Sequence, residues 1–282
     1  MSSDAMAIED RTAADAARRI PSGSGARPLA GNRAVTAVKV PARITVVFWA
    51  LKLLSTAMGE ATSDSLVHGI NQYLAVMLGF LAFAAAMVLQ LRARRYSPWT
   101  YWFAVAMVAV FGTMAADALH IGLHVPYAAS SLFYLVVLAA VLVAWHRTEG
   151  TLSIHSIYTV RRELFYWATV LATFALGTAV GDLTATTFHI GYLGSGLMFI
   201  GLFAVPGLAY RLVRVNSVLA FWTAYILTRP LGASFADYLG FSRSAGGVGL
   251  GHAAVAAIFA VPIVVLVAYL ARSHQDTAAA VA

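Results

Sequence analysis

One pattern is written four times in this chain: an aromatic residue, Trp, nine residues, Gly, four residues, Asp. The copies are Phe48-Trp49…Gly59…Asp64, Tyr101-Trp102…Gly112…Asp117, Tyr166-Trp167…Gly177…Asp182 and Phe221-Trp222…Gly232…Asp237. Self-similarity at a fixed period decides an architecture before any single residue does. Each copy lies in strongly apolar sequence, so each brings a carboxylate into or beside a membrane, where ionisable groups are costly and point to function. The chain of 282 residues is 60% hydrophobic and only 11% charged, against about 25% charged for a soluble domain.

Eight segments are long enough to span, at about 20 residues each: 43–66, 71–91, 98–120, 126–146, 163–189, 192–213, 217–240 and 247–271. The odd segments carry the signature, and the even ones are plainer Leu, Val, Ala and Phe. The expected fold is an all-α polytopic membrane bundle of eight transmembrane helices, built as four parallel two-helix repeats over about 43–92, 96–146, 161–213 and 215–271. Residues 1–40, rich in Ala, Arg, Ser and Gly, read as a disordered tail, and 273–282 as a short polar one.

Of the 19 Lys and Arg, all but Lys52, Arg229 and Arg243 fall in the tails or after even-numbered segments. The positive-inside rule then places both termini in the cytoplasm. The basic balance reports topology, and nucleic acid is not an expected partner. There are no cysteines, which excludes disulfides and thiol chemistry. No Gly-x-Ser-x-Gly, His-Glu-x-x-His or phosphate-binding loop is present, so no catalytic residue and no cofactor is assigned.

Each Asp follows the last cytoplasmic Arg by 20 to 23 residues. At 1.5 Å per residue this is roughly 30–35 Å, which puts the four Asp near the outer boundary. The four Trp read as interface anchors and packing groups. Gly59, Gly112, Gly177 and Gly232 read as points of close helix approach. Lys52, Thr56, Glu60 and Asp64 form an i, i+4 ladder on one helix face. Glu60 stands where repeats two and three have Thr113 and Thr178. Arg229 precedes Pro230, which removes a helical bond to Ile226.

Five acids (Glu60, Asp64, Asp117, Asp182 and Asp237) thus face two bases, Lys52 and Arg229. Such a surplus is protonated, hydrated or matched by a cation. The acids are candidate hard ligands, with His120 and His189 as softer partners, and Lys52 and Arg229 as counter-charges paired with acids. His252 fits no pattern.

Phrases such as Phe-Trp-Ala-Leu-Lys at 48–52, Leu-Gly-Thr-Ala-Val-Gly-Asp at 176–182 and Ile-Leu-Thr-Arg-Pro-Leu-Gly-Ala at 226–233 are similar to those of a known family. Over about 37–272 the chain resembles bacterial membrane proteins described as a four-times-repeated unit of unknown function. The resemblance implies the fold count and an inner-membrane location, and no activity. The reading expected for this chain is a secondary transporter or exporter of a small cation, foremost a divalent metal, with proton coupling open. A non-transporting scaffold or sensor is the alternative, and an intramembrane enzyme a weaker one. The partners expected are the lipid bilayer and a cation or proton, with a homo-oligomer left open.

Overall fold

The computed structural model describes residues 39–277, apart from the Ile121 side chain. The tail expected over 1–40 lies outside them except for Lys39 and Val40, as does the end of the C-terminal tail. The described residues form eight long helices: α1 (Val46–Gly69), α2 (Gln72–Arg92), α3 (Pro98–Asp117), α4 (Tyr127–Glu149), α5 (Val160–Asp182), α6 (Gly191–Val213), α7 (Ser217–Gly240) and α8 (His252–Ser273). A π-helical turn extends α3 over Ala118–Gly122 and α5 over Leu183–Thr187, directly after Asp117 and Asp182.

Local chemistry sets the helix starts. Thr45, Asn71, Thr159 and Asn216 accept backbone N–H bonds from the first turns of α1, α2, α5 and α7, and Pro98 begins α3. The last helix begins at His252 rather than at 247. Gly246, Gly249 and Gly251 hold φ of 86°, 89° and 80°, a left-handed conformation that cannot continue a helix.

Six of the eight, all except α1 and α7, are long and apolar enough to cross a membrane by length and composition, consistent with a multi-pass membrane protein. The charges Lys52, Glu60, Asp64, Arg229 and Asp237 fall in the other two.

The four signature helices form a closed inner ring in which α1 touches α3, α3 touches α5, α5 touches α7 and α7 returns to α1. The plain helices lie outside it, studded with exposed Leu, Val and Phe side chains. Each of them packs chiefly on the signature helix of the following repeat: α2 on α3, α4 on α5, α6 on α7 and α8 on α1. A repeat therefore covers its neighbour more than itself, and the last covers the first.

The repeated glycines make the ring possible. A Cβ on Gly59 would overlap Ala109 of α3, one on Gly112 would approach Phe174 Cβ to 2.6 Å, one on Gly177 would overlap Arg229, and one on Gly232 would overlap Thr56. Every contact joins the glycine of one repeat to the residue seven after Trp in the next, and the fourth closes on the first.

Candidate functional site

Rows at four-residue spacing run up the inner face of each signature helix: Phe48-Lys52-Thr56-Glu60-Asp64, Tyr101-Val105-Ala109-Thr113-Asp117, Tyr166-Val170-Phe174-Thr178-Asp182 and Phe221-Tyr225-Arg229-Ala233-Asp237. Nearly all of these side chains are buried, and the rows stack as layers along the ring's interior. At one end Phe48 lies against Trp102 and Phe221, and the Tyr101 and Tyr166 hydroxyls are hydrogen-bonded at 2.5 Å. Trp102, Trp167 and Trp222 are buried in this aromatic layer. They are core groups rather than interface anchors, because the row next to each Trp turns it into the bundle.

The next layer holds Lys52. Its Nζ sits 4.0 Å from the Phe174 ring centre and 4.2 Å from that of Tyr225, with no hydrogen-bond partner. The expected pairing of Lys52 with an acid is therefore not formed. Two turns of helix separate it from Glu60, and the guanidinium of Arg229 has taken that carboxylate.

Arg229 reaches from α7 across the ring. Its Nη2 donates to Glu60 Oε2 on α1, to Thr113 Oγ1 on α3 and to Thr178 Oγ1 on α5, the last at 2.5 Å. Thr113 also donates to Glu60 Oε2 at 3.1 Å. Ala233 is the small fourth member of that layer, and Gly177 leaves room for the Arg229 stem. One guanidinium thus ties all four inner helices. Its Nε and Nη1 remain buried without partners.

The Asp layer closes the other end. Carboxylate oxygens of Glu60, Asp64 and Asp237 lie within 4.8 Å of one another. Asp237 is buried and its Oδ1 has no partner. Asp117 and Asp182 are half-buried at the π turns, within electrostatic reach of Glu60 and Arg229 but outside the tight cluster. The five acids converge; three of them meet.

The expected softer ligands do not join them. His120 donates from Nδ1 to the Val125 carbonyl at 2.6 Å and stacks on Tyr127, and His189 is exposed at φ 58°. His120 is held by a loop carbonyl, and His189 lies in the turn just before α6. The histidine that does arrive is His252, with Nδ1 3.2 Å from Asp64 Oδ2. No repeat spacing announces it. It is delivered by the glycine-rich loop before α8, whose Val248, Leu250 and Gly251 amides bond the carbonyls of Tyr238, Leu239 and Gly240 at the end of α7.

A separate apolar cleft of about 650 Å³ opens between α1, α6 and α7 at the aromatic end, lined by Trp49, Phe203, Phe221 and Tyr210. At the start of α5, Lys39 donates to Glu163 and to the Leu91 carbonyl, both at 2.9 Å, and Gln90 donates to Glu163 at 3.1 Å. Tyr96 is bonded to Asp276, and burial, then that bond, raises its hydroxyl pKa.

The family model described as Repeat of Unknown Function (DUF347) matches residues 47–96, 100–151, 165–216 and 220–276. No curated protein and no solved structure matches the chain.

Proposed function

We propose, from the premise that this chain belongs to the DUF347 repeat family, that it is a secondary transporter of a small cation, foremost a divalent metal. One observation carries the reading: Glu60, Asp64 and Asp237, from helices distant in sequence, offer carboxylate oxygens mutually within 4.8 Å in the interior of an apolar bundle. Mutually close carboxylates in low dielectric repel one another and favour a cation among them.

The reading includes eight membrane crossings, with the four repeats parallel about an axis along the membrane normal. The meeting of like layers supports it: aromatic with aromatic, Glu60 with Thr113 and Thr178, Asp64 with Asp237. It includes a bacterial inner membrane and cytoplasmic termini, supported by the distribution of Lys and Arg. The acid end then faces outward, and the aromatic layer with Lys52 closes the column on the cytoplasmic side. Arg229 acts as a tethered cation that holds Glu60 until the substrate displaces it. Asp117 and Asp182 line the approach, and protons exchanged by the acids supply the coupling.

Reconstitution in liposomes tests this, with flux of Mn²⁺, Zn²⁺, Mg²⁺ and Ca²⁺ measured under an imposed pH gradient. Parent protein is expected to move at least one of them, and Asp237→Asn to lower that flux at least tenfold. Unchanged flux in Asp237→Asn, or none in the parent for any ion, ends the transporter reading. The Arg229 knot favours one second reading, a scaffold in which Glu60 serves only to join helices. In that case Glu60→Gln lowers thermal stability and no ion raises it.

A further inference from the structure

Three helices build one corner of the acid end, and its donor set is mixed. Asp64 comes from α1, Asp237 from α7 and His252 from the first residue of α8, with Glu60 one turn below Asp64. The imidazole is placed there deliberately by the backbone. The loop before α8 folds back along the end of α7 and satisfies the Tyr238, Leu239 and Gly240 carbonyls, which otherwise lack helical partners. Gly251 reaches φ 80° to turn into α8. Gly240 then seats the ring: a Cβ there would stand 2.6 Å from His252 Nδ1.

A second imidazole flanks the ring. His68 stacks parallel to it, with ring centres 6.1 Å apart, and is itself fixed by a 2.8 Å bond from its Nδ1 to the Asp64 carbonyl. His252 Nδ1 points at Asp64 without forming a hydrogen bond, and Asp237 Oδ1, 4% exposed as a residue, is likewise without a partner. Both atoms lie beside Asp64: the Asp237 carboxylate is within 4.8 Å of it in the acid cluster, and His252 Nδ1 is 3.2 Å from its Oδ2. An unpaired buried carboxylate oxygen is costly, and such a cost persists where something else satisfies the group.

We infer that Asp64, Asp237, Glu60 and His252 form a binding site for a first-row divalent transition metal. This rests on the cation reading above and names its substrate class. Carboxylates alone suit Mg²⁺, Ca²⁺ and Mn²⁺, whereas a neutral imidazole nitrogen shifts preference toward Co²⁺ and Zn²⁺. The three carboxylates lie within 4.8 Å of one another and His252 Nδ1 meets Asp64 Oδ2 at 3.2 Å, so the imidazole closes on the other two acids, and Glu60 leaves Arg229, as the metal enters. His252 is the selectivity-determining ligand and Asp237 the anchoring one.

The test is binding by purified full-length protein in detergent, with each metal alone as the probe. Thermal unfolding is expected to shift upward with Co²⁺ or Zn²⁺ and not with equal Mg²⁺ or Ca²⁺. Asp237→Asn is expected to abolish the shift. His252→Gln is expected to weaken Co²⁺ and Zn²⁺ binding at least tenfold while leaving the metal-free melting temperature near the parent's. The Co²⁺ visible spectrum should show one nitrogen donor that His252→Gln removes. Equal or stronger shifts with Mg²⁺ or Ca²⁺, or unchanged Co²⁺ binding in His252→Gln, overturn the inference and leave cation transport standing. Transition-metal binding without flux in liposomes does the reverse. No shift with any divalent ion overturns the inference, and flux then decides the transporter reading on its own.

Discussion

Arg229 and Lys52 are both fully buried bases in one column, yet their circumstances are opposite. Arg229 has a carboxylate and two hydroxyls; Lys52 has two aromatic faces. Cation–π attraction is worth about 2 kcal/mol or somewhat more when desolvated, against a burial penalty of several kcal/mol for an ammonium. Lys52→Met is therefore expected to raise the melting temperature; a fall of several degrees would show that the ammonium is compensated. Arg229→Gln leaves Glu60 buried and unpaired and is expected to cost about 3–5 kcal/mol. Glu60→Gln combined with Arg229→Gln should cost less than the sum of the two single changes, as read by denaturation of all three variants. The Glu60 ladder was legible in the sequence because i, i+4 spacing is local. The partner of Arg229 was not, since it depends on which helices become neighbours across 169 positions.

At the scale of the element, the glycines decide how closely helices approach. Gly177→Ala and Gly232→Ala place a methyl against Arg229 and against Thr56 and the Ala57 amide, and are expected to destabilise by about 1–3 kcal/mol or more. Gly207, in α6, has nothing within 4 Å of an added Cβ, so Gly207→Ala should be neutral or stabilising by up to about 1 kcal/mol. Equal melting temperatures for all three would show that the ring is looser than its contacts imply. The repeat spacing disclosed these glycines because a close-approach point recurs wherever the same interface recurs. It did not disclose that α2, α4, α6 and α8 each cover the next repeat. A short connection suggests a self-contained hairpin, and the preference arises only once the ring closes. His252 escaped for a related reason: its position follows from backbone bonds at the end of α7, which leave no periodic trace.

For the whole molecule, the absence of cysteine makes topology directly measurable. Single cysteines placed at His189 and at Arg147 are expected to react with a membrane-impermeant maleimide from opposite sides of the bilayer, His189 from outside intact cells. Labelling of both from one side would overturn the eight-crossing reading. The count of eight long helices was readable from the apolar segments. The enclosure of α1 and α7, whose charges hide them from a hydropathy scan, needed the folded ring.

The Ala42 amide bonds the Asp276 carbonyl at 2.8 Å, so the two ends of the described chain meet. A circle of four interlocking units has no natural starting point. Joining residue 277 to 39 by a short linker and reopening the chain between Gly150 and Thr159 should yield a circular permutant with a melting temperature close to the parent's. Where biosynthesis happens to begin would then be an accident of the gene, and the order in which the units enter the membrane a matter of kinetics alone.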